Sequence, residues 1–190
     1  MEPHRPQTDM TPEPIQASAP SWFARALREV LETVIPAVVI ALVIQLFLAQ
    51  ATRVYGQSME PNLHTDQRLV VEKISYRLHF PQRGDIVVIR VPGHSRELLI
   101  KRVIALPGET VEIRDGVVYI DGEPLDEPYV IYRSHETLAP RTVPPLSVFV
   151  MGDNRSASND SRVFGPIHRD NIVGRAWISY WPPSLIGWVE

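Results

Sequence analysis

A chain of 190 residues with a formal net charge of −3 is long enough for one ordinary domain with its own core, and it has no basic footprint pointing to nucleic acid. It has no cysteine, which excludes disulfides, a thiolate nucleophile and cysteine-ligated zinc. Its six histidines are scattered without paired spacing, so the sequence carries no metal motif.

Residues 1–24 hold Pro3, Pro6, Pro12, Pro14 and Pro20 among polar residues, a composition that predicts a disordered tail. From Thr33 to Thr52 the chain reads TVIPAVVIALVIQLFLAQAT, without a charge. About twenty residues at helical rise cross a bilayer core, so the run predicts one transmembrane helix over about 33–52, within an anchor over 25–53. Pro36 is expected in its first turn, where proline is tolerated. Two other readings compete. A buried soluble helix would need apolar partners on every side. A cleaved signal peptide is suggested by the small-x-small triplet Ala49–Gln50–Ala51, but the leader is long and carries Glu29 and Glu32 beside Arg25 and Arg28. Arg25 and Arg28 face Arg53 across the run, so the charges do not settle orientation; an N-inside anchor is the expectation adopted.

Beyond the run the pattern changes to period two. RLVVEKI, DIVVIRV, ELLIKRVIAL, TVEIR, VVYI and SVFVMG read as short strands, and residues 54–190 are predicted to be mainly β. Asp115-Gly116 forms the two-residue turn of a hairpin. Pro140, Pro144 and Pro145 predict a loop.

Three places could carry chemistry. Ser58 lies in YGQSMEPNL, where Glu60 occupies the second-glycine position of a G-x-S-x-G elbow, so that motif fails. A serine nucleophile needs a base, and His64 and Lys101 are both in view. Alternation puts Leu99, Lys101, Val103 and Ala105 on one strand face; burial there would push the amine down from about 10.4 toward neutrality, where it is a competent base. A lysine reaching water at a sheet edge accounts for Lys101 equally well. The loop MGDNRSASNDSRVFGPI, Met151 to Ile167, is a turn by composition; a functional reading has Ser158 orienting the amine and Asp160 pairing with Arg162.

GQSMEPNL, RGDIVVIR, KRVIALPGE and GDNRSASNDSRVFGPI, in that order after an apolar run, resemble the conserved boxes of the type I signal peptidases over nearly all of residues 30–182. The resemblance implies a coiled-strand antiparallel β domain preceded by one transmembrane helix. It implies a membrane-bound serine endopeptidase that removes signal peptides from exported preproteins after small residues at P1 and P3. Ser58 would be the nucleophile and Lys101 the general base, with Ser158, Asp160, Arg162 and Asp153 in support. Met59, Leu63, Ile100 and Val54 would line the substrate pocket. No metal or organic cofactor is implied; the partners are preproteins and the lipid bilayer. The expected location is the cytoplasmic membrane, with a single pass, the N-terminus in the cytoplasm and the catalytic domain outside. One position departs from the Gram-negative pattern: Gly56 stands where a serine hydroxyl serves the oxyanion, leaving the Ser58 N–H as the expected donor. Self-cleaving repressors, which share the chemistry but lack a span, and a tethered binding domain without catalysis are the rivals.

Overall fold

The structure, a computed structural model, describes residues 21–43, 49–91, 93 and 98–189. The chain divides into two units between Leu42 and Val43. The first contains most of α1 (Ser21–Val43), a helix with Pro36 in its interior rather than its first turn. Helix therefore takes in the last four residues of the predicted tail, from Ser21.

The predicted span is corrected at its C-terminal end. Residues 44–48 lie outside the described residues, and Ala49–Arg53 forms a strand, β1, instead of continuing the helix. Each of its five residues pairs with β2 (Arg68–Glu72), from Ala49 opposite Glu72 to Arg53 opposite Arg68. This tertiary pairing overrides the weak strand preference of Ala-Gln-Ala. No helix among the described residues is long and apolar enough to cross a membrane. In α1 the first half carries Arg25, Arg28, Glu29 and Glu32.

The second unit is mainly β and antiparallel. After β2 come a single helical turn, α2 (Ser75–Leu78), and the strands β3 (Ile86–Arg90), β4 (Leu98–Ala105), β5 (Thr110–Arg114), β6 (Val117–Ile120) and β7 (Glu123–Pro124). Then follow β8 (Leu138–Thr142), β9 (Ser147–Met151), the turn α3 (Ser161–Phe164), β10 (Ile167–His168), β11 (Ile172–Trp181) and β12 (Gly187–Trp188). The larger sheet runs β1-β2-β11-β3-β4-β9-β10, with β12 on β11; the smaller runs β7-β6-β5-β8.

All six strands predicted from period-two patterning are present. The Asp115-Gly116 hairpin is too, with positive φ at both turn residues (46° and 79°), as a type I′ turn requires. The proline loop contains a strand the sequence did not announce: β8 carries Pro140 at a sheet edge, where a missing donor is tolerated. β11, the longest strand described, lies between β2 and β3 and has no period-two signal in the sequence. Register shifts against both neighbours break its alternation.

Three apolar clusters fill the unit. Val87, Ile89, Val103, Val148, Val150 and Ile167 form one, with Leu99 against it. Ile104 and Ala105 belong to another, with Val111, Ile113, Val118 and Phe149. The shared face predicted for Leu99, Val103 and Ala105 thus ends at Val103, where a register shift against β9 turns Ala105 into the neighbouring cluster. The third cluster joins Val54, Met59 and Leu63 to Leu69, Ile86, Ala176 and Val189. It pins the segment that carries Ser58.

Candidate active site

Ser58 sits on a turn immediately before Met59, which is 1% exposed. Val54, Met59 and Leu63 insert into the core, and the Leu63 N–H donates to the Met59 carbonyl at 2.9 Å. The side chains on either side of the serine are therefore fixed by burial, while Ser58 itself stays partly open. Gly56, at φ 79°, takes a left-handed conformation, and its carbonyl accepts from Thr65 Oγ1 at 2.9 Å.

Lys101 comes from the middle of β4, opposite Val87 of β3, and is 2% exposed. Its Nζ donates to Ser58 Oγ at 2.6 Å. Two residues 43 positions apart, on different elements, thus meet at hydrogen-bond distance. His64, the other candidate base, is exposed, and its backbone N–H donates to Gln67 Oε1 at 3.0 Å.

The loop after β9 supports the pair from behind. Asn154 N–H donates to the Ser58 carbonyl at 3.0 Å. A Cβ at Gly152 would collide with that carbonyl and with the Ser158 hydroxyl, so the serine turn and Ser158 close on the glycine from two sides. Ser158 Oγ donates to Asp160 Oδ2 at 2.7 Å, leaving its lone pairs as acceptors. Asp160, fully buried, also accepts from Gly152 N–H at 3.0 Å and from Arg162 Nε and Nη2 at 2.8 and 2.9 Å. Burial pulls the Asp160 carboxyl upward. The hydrogen bond and charge of Arg162, then the Gly152 N–H and Ser158 hydroxyl, outweigh it and hold the group below the usual carboxylate range.

Asp153 receives a two-pronged ion pair from Arg102, Nε to Oδ1 at 2.8 Å and Nη2 to Oδ2 at 2.7 Å, with both side chains at most 5% exposed. The Arg102 guanidinium also lies 4.1 Å from the Tyr129 ring centroid. Asn62 Nδ2 donates to Asp153 Oδ2 at 2.8 Å and to the Tyr129 carbonyl at 2.9 Å. One network thus joins the serine turn, the residue after Lys101, and the loop after β9. Arg155 adds a buried ion pair with Glu127 and donates from Nε to the Gly152 carbonyl at 3.0 Å. The sequence pattern does not mark Asn62, Glu127 or Arg155, and Arg102 is signalled only as a second cation beside Lys101 in an otherwise apolar strand.

A cleft of about 30 Å³ opens beside the pair, lined by Val54, Met59, Val88, Leu99 and Ile100 with Ser58 and Lys101. Leu63, expected in this lining, is not among the residues that line the cleft and packs with Val54 and Met59 in the third cluster at 3% exposure. Among the described residues no group of three His, Asp or Glu side chains is placed to hold a metal.

Known proteins resemble this chain over most of its length. The family model for signal peptidase, peptidase S26, matches residues 27–181. The chain is 44% identical over 168 residues to the probable signal peptidase I-1 of Synechocystis sp., covering 85% of this chain and 86% of that protein. It is 40% identical over 187 residues to the signal peptidase I of Leptolyngbya laminosa, covering 95% and 92%. The crystal structure of a signal peptidase I from Enterococcus faecalis V583 is 38% identical, covers 51% of this chain and 97% of its own, and superposes with a TM-score of 0.46. By family match and by identity over most of its length, the chain belongs to the signal peptidases of the peptidase S26 family.

Proposed function

We propose that the protein is a signal peptidase I, a membrane-anchored serine endopeptidase that frees exported preproteins from their signal peptides by cutting after small residues. The observation that carries the mechanism is the 2.6 Å contact between Lys101 Nζ and Ser58 Oγ, made by an amine that is almost wholly buried. Burial disfavours the ammonium; in the neutral amine the hydrogen bond reverses, with the Ser58 O–H donating to the Nζ lone pair.

Ser58 Oγ attacks the scissile carbonyl as Lys101 takes its proton. The Ser58 N–H stabilises the oxyanion, and Lys101 returns the proton to the departing amine. Lys101 then deprotonates a water that releases the ester, regenerating the serine. Ser158 orients the amine through a lone pair, and Asp160 with Arg162 holds Ser158 in place. The small cleft lined by Val54, Met59 and Ile100 suits a small P1 side chain, and no cofactor enters the scheme.

In this reading the N-terminal segment that holds the apolar run from Thr33 supplies the anchor, single-pass with the N-terminus in the cytoplasm and the β unit outside. In its support, Val34, Ile35, Val38, Val39, Ile40, Leu42 and Val43 are all exposed, an apolar surface that suits lipid better than water. The test is incubation of the full chain, in detergent, with a labelled preprotein, and weighing of the products by mass spectrometry. Wild type should cut once after a small residue, and Ser58→Ala should leave the preprotein intact. Normal cutting by Ser58→Ala would remove the serine from the mechanism.

A further inference from the structure

A second cavity, of about 300 Å³, shares no lining residue with the Ser58 cleft. Lys73, Arg77, Arg90 and Arg169 line it, with Tyr76 and Ile172, and no carboxylate is among the lining residues. In a chain whose formal net charge is −3, Lys73, Arg90 and Arg169 bring three cationic side chains without a described ion pair to one cavity, a local reversal of charge. Like charges held this close repel each other unless an anion lies between them.

Among the described residues, three nearby carboxylates have partners of their own. Glu72 Oε2 accepts the Ile74 and Ser75 N–H groups at 3.1 and 3.0 Å. Asp85 accepts from the Tyr76 hydroxyl at 2.9 Å and pairs with Arg175 at 3.3 Å, and Asp170 lies 3.3 Å from His168. Among the described residues Lys73, Arg90 and Arg169 make no ion pair. Arg169 is nonetheless held in place: its Nη2 donates to the Tyr76 carbonyl at 3.0 Å, and its guanidinium lies 5.9 Å from the Phe80 ring centroid. A guanidinium has five N–H donors in a rigid fork, so most of them remain for a ligand.

We infer that this cavity is a binding site for a phosphate-bearing anion, either the anionic headgroup of a phospholipid or free phosphate. Several cationic donors from β2's end, α2, β3 and the turn before β11 converge on a space of headgroup size. The site is independent of the proposed peptidase chemistry.

The test follows thermal unfolding of the full chain in neutral detergent. Short-chain phosphatidylglycerol or inorganic phosphate is titrated at an ionic strength fixed with chloride. A ligand that binds only the folded state raises Tm saturably. In Lys73→Gln/Arg90→Gln, checked for folding by its unliganded Tm, the half-saturating concentration should rise about tenfold. Arg90→Gln alone, at an exposed position, should raise it severalfold if the double variant does not fold. A shift with the lipid only assigns the site to a headgroup, and a shift with both ligands assigns it to the phosphate group itself. No shift with either ligand, or the same response in the variants as in wild type, overturns the site.

Discussion

A methyl group on Gly152 would strike both the Ser158 hydroxyl and the Ser58 carbonyl, which makes this glycine the tightest point behind the proposed dyad. Gly152→Ala should therefore lower kcat/KM on the order of 10²-fold, since displacing a reacting group by a fraction of its contact distance is costly in rate. The same clash should also lower its Tm, so steady-state kinetics with a preprotein is measured well below the melting temperature, where the folded fraction is complete. Asp160 has a different signature. Its folded-state pKa lies below its unfolded value, so the stability it contributes is present above about pH 4 and is lost as pH falls through the folded value. Between pH 5 and pH 2 the urea midpoint of wild type should fall further than that of Asp160→Asn; equal falls would mean the carboxylate contributes nothing. Ser58, Lys101, Ser158, Asp160 and Arg162 were legible because they sit in short ordered motifs. Arg102 and Asn62 were not, because their common partner Asp153 is 51 and 91 residues away. A charged side chain in a strand ordinarily faces water, so nothing in the local pattern marks Arg102 as buried.

At the scale of elements, the strands with clean patterning could be read directly, and those shaped by their neighbours could not. β3 is buried at four successive residues and reads as an unbroken apolar run. β1 has a composition that suits helix as well as strand, and only its ladder with β2 decides the matter. β11 hides behind Gly174 and its register shifts. That glycine is required by contact: a Cβ there would collide with the Glu72 carbonyl and the Val71 side chain across the β2–β11 pairing. Gly174→Ala should cost about 2 kcal/mol, the usual scale of overpacking, read as a lower denaturant midpoint at unchanged slope. A midpoint within error of wild type would show that β2 and β11 can part locally without penalty.

For the whole molecule, the division into a helical N-terminal unit and a β unit was visible as a change in hydrophobic period, but its position was not. The apolar run suggested helix as far as Thr52, whereas the β unit claims the chain from Val43 onward, with β1 as a full member of its sheet. Hydrophobicity alone cannot distinguish a helix that continues from a strand about to pair, because both bury apolar side chains. Every residue of the three core clusters lies between Val54 and Val189, so the proposed catalytic groups sit on a scaffold with its own interior. The proposed anchor carries exposed apolar side chains.

The most direct measurement is kcat/KM for Lys101→Met on a preprotein, relative to wild type, with the variant's folding verified by its unfolding transition. With Lys101 as the base, the loss should be about 10⁴-fold or more, the scale seen when one member of a catalytic unit is removed. A rate within tenfold of wild type would contradict the dyad and pass the role of base to another group, with His64 the first to examine.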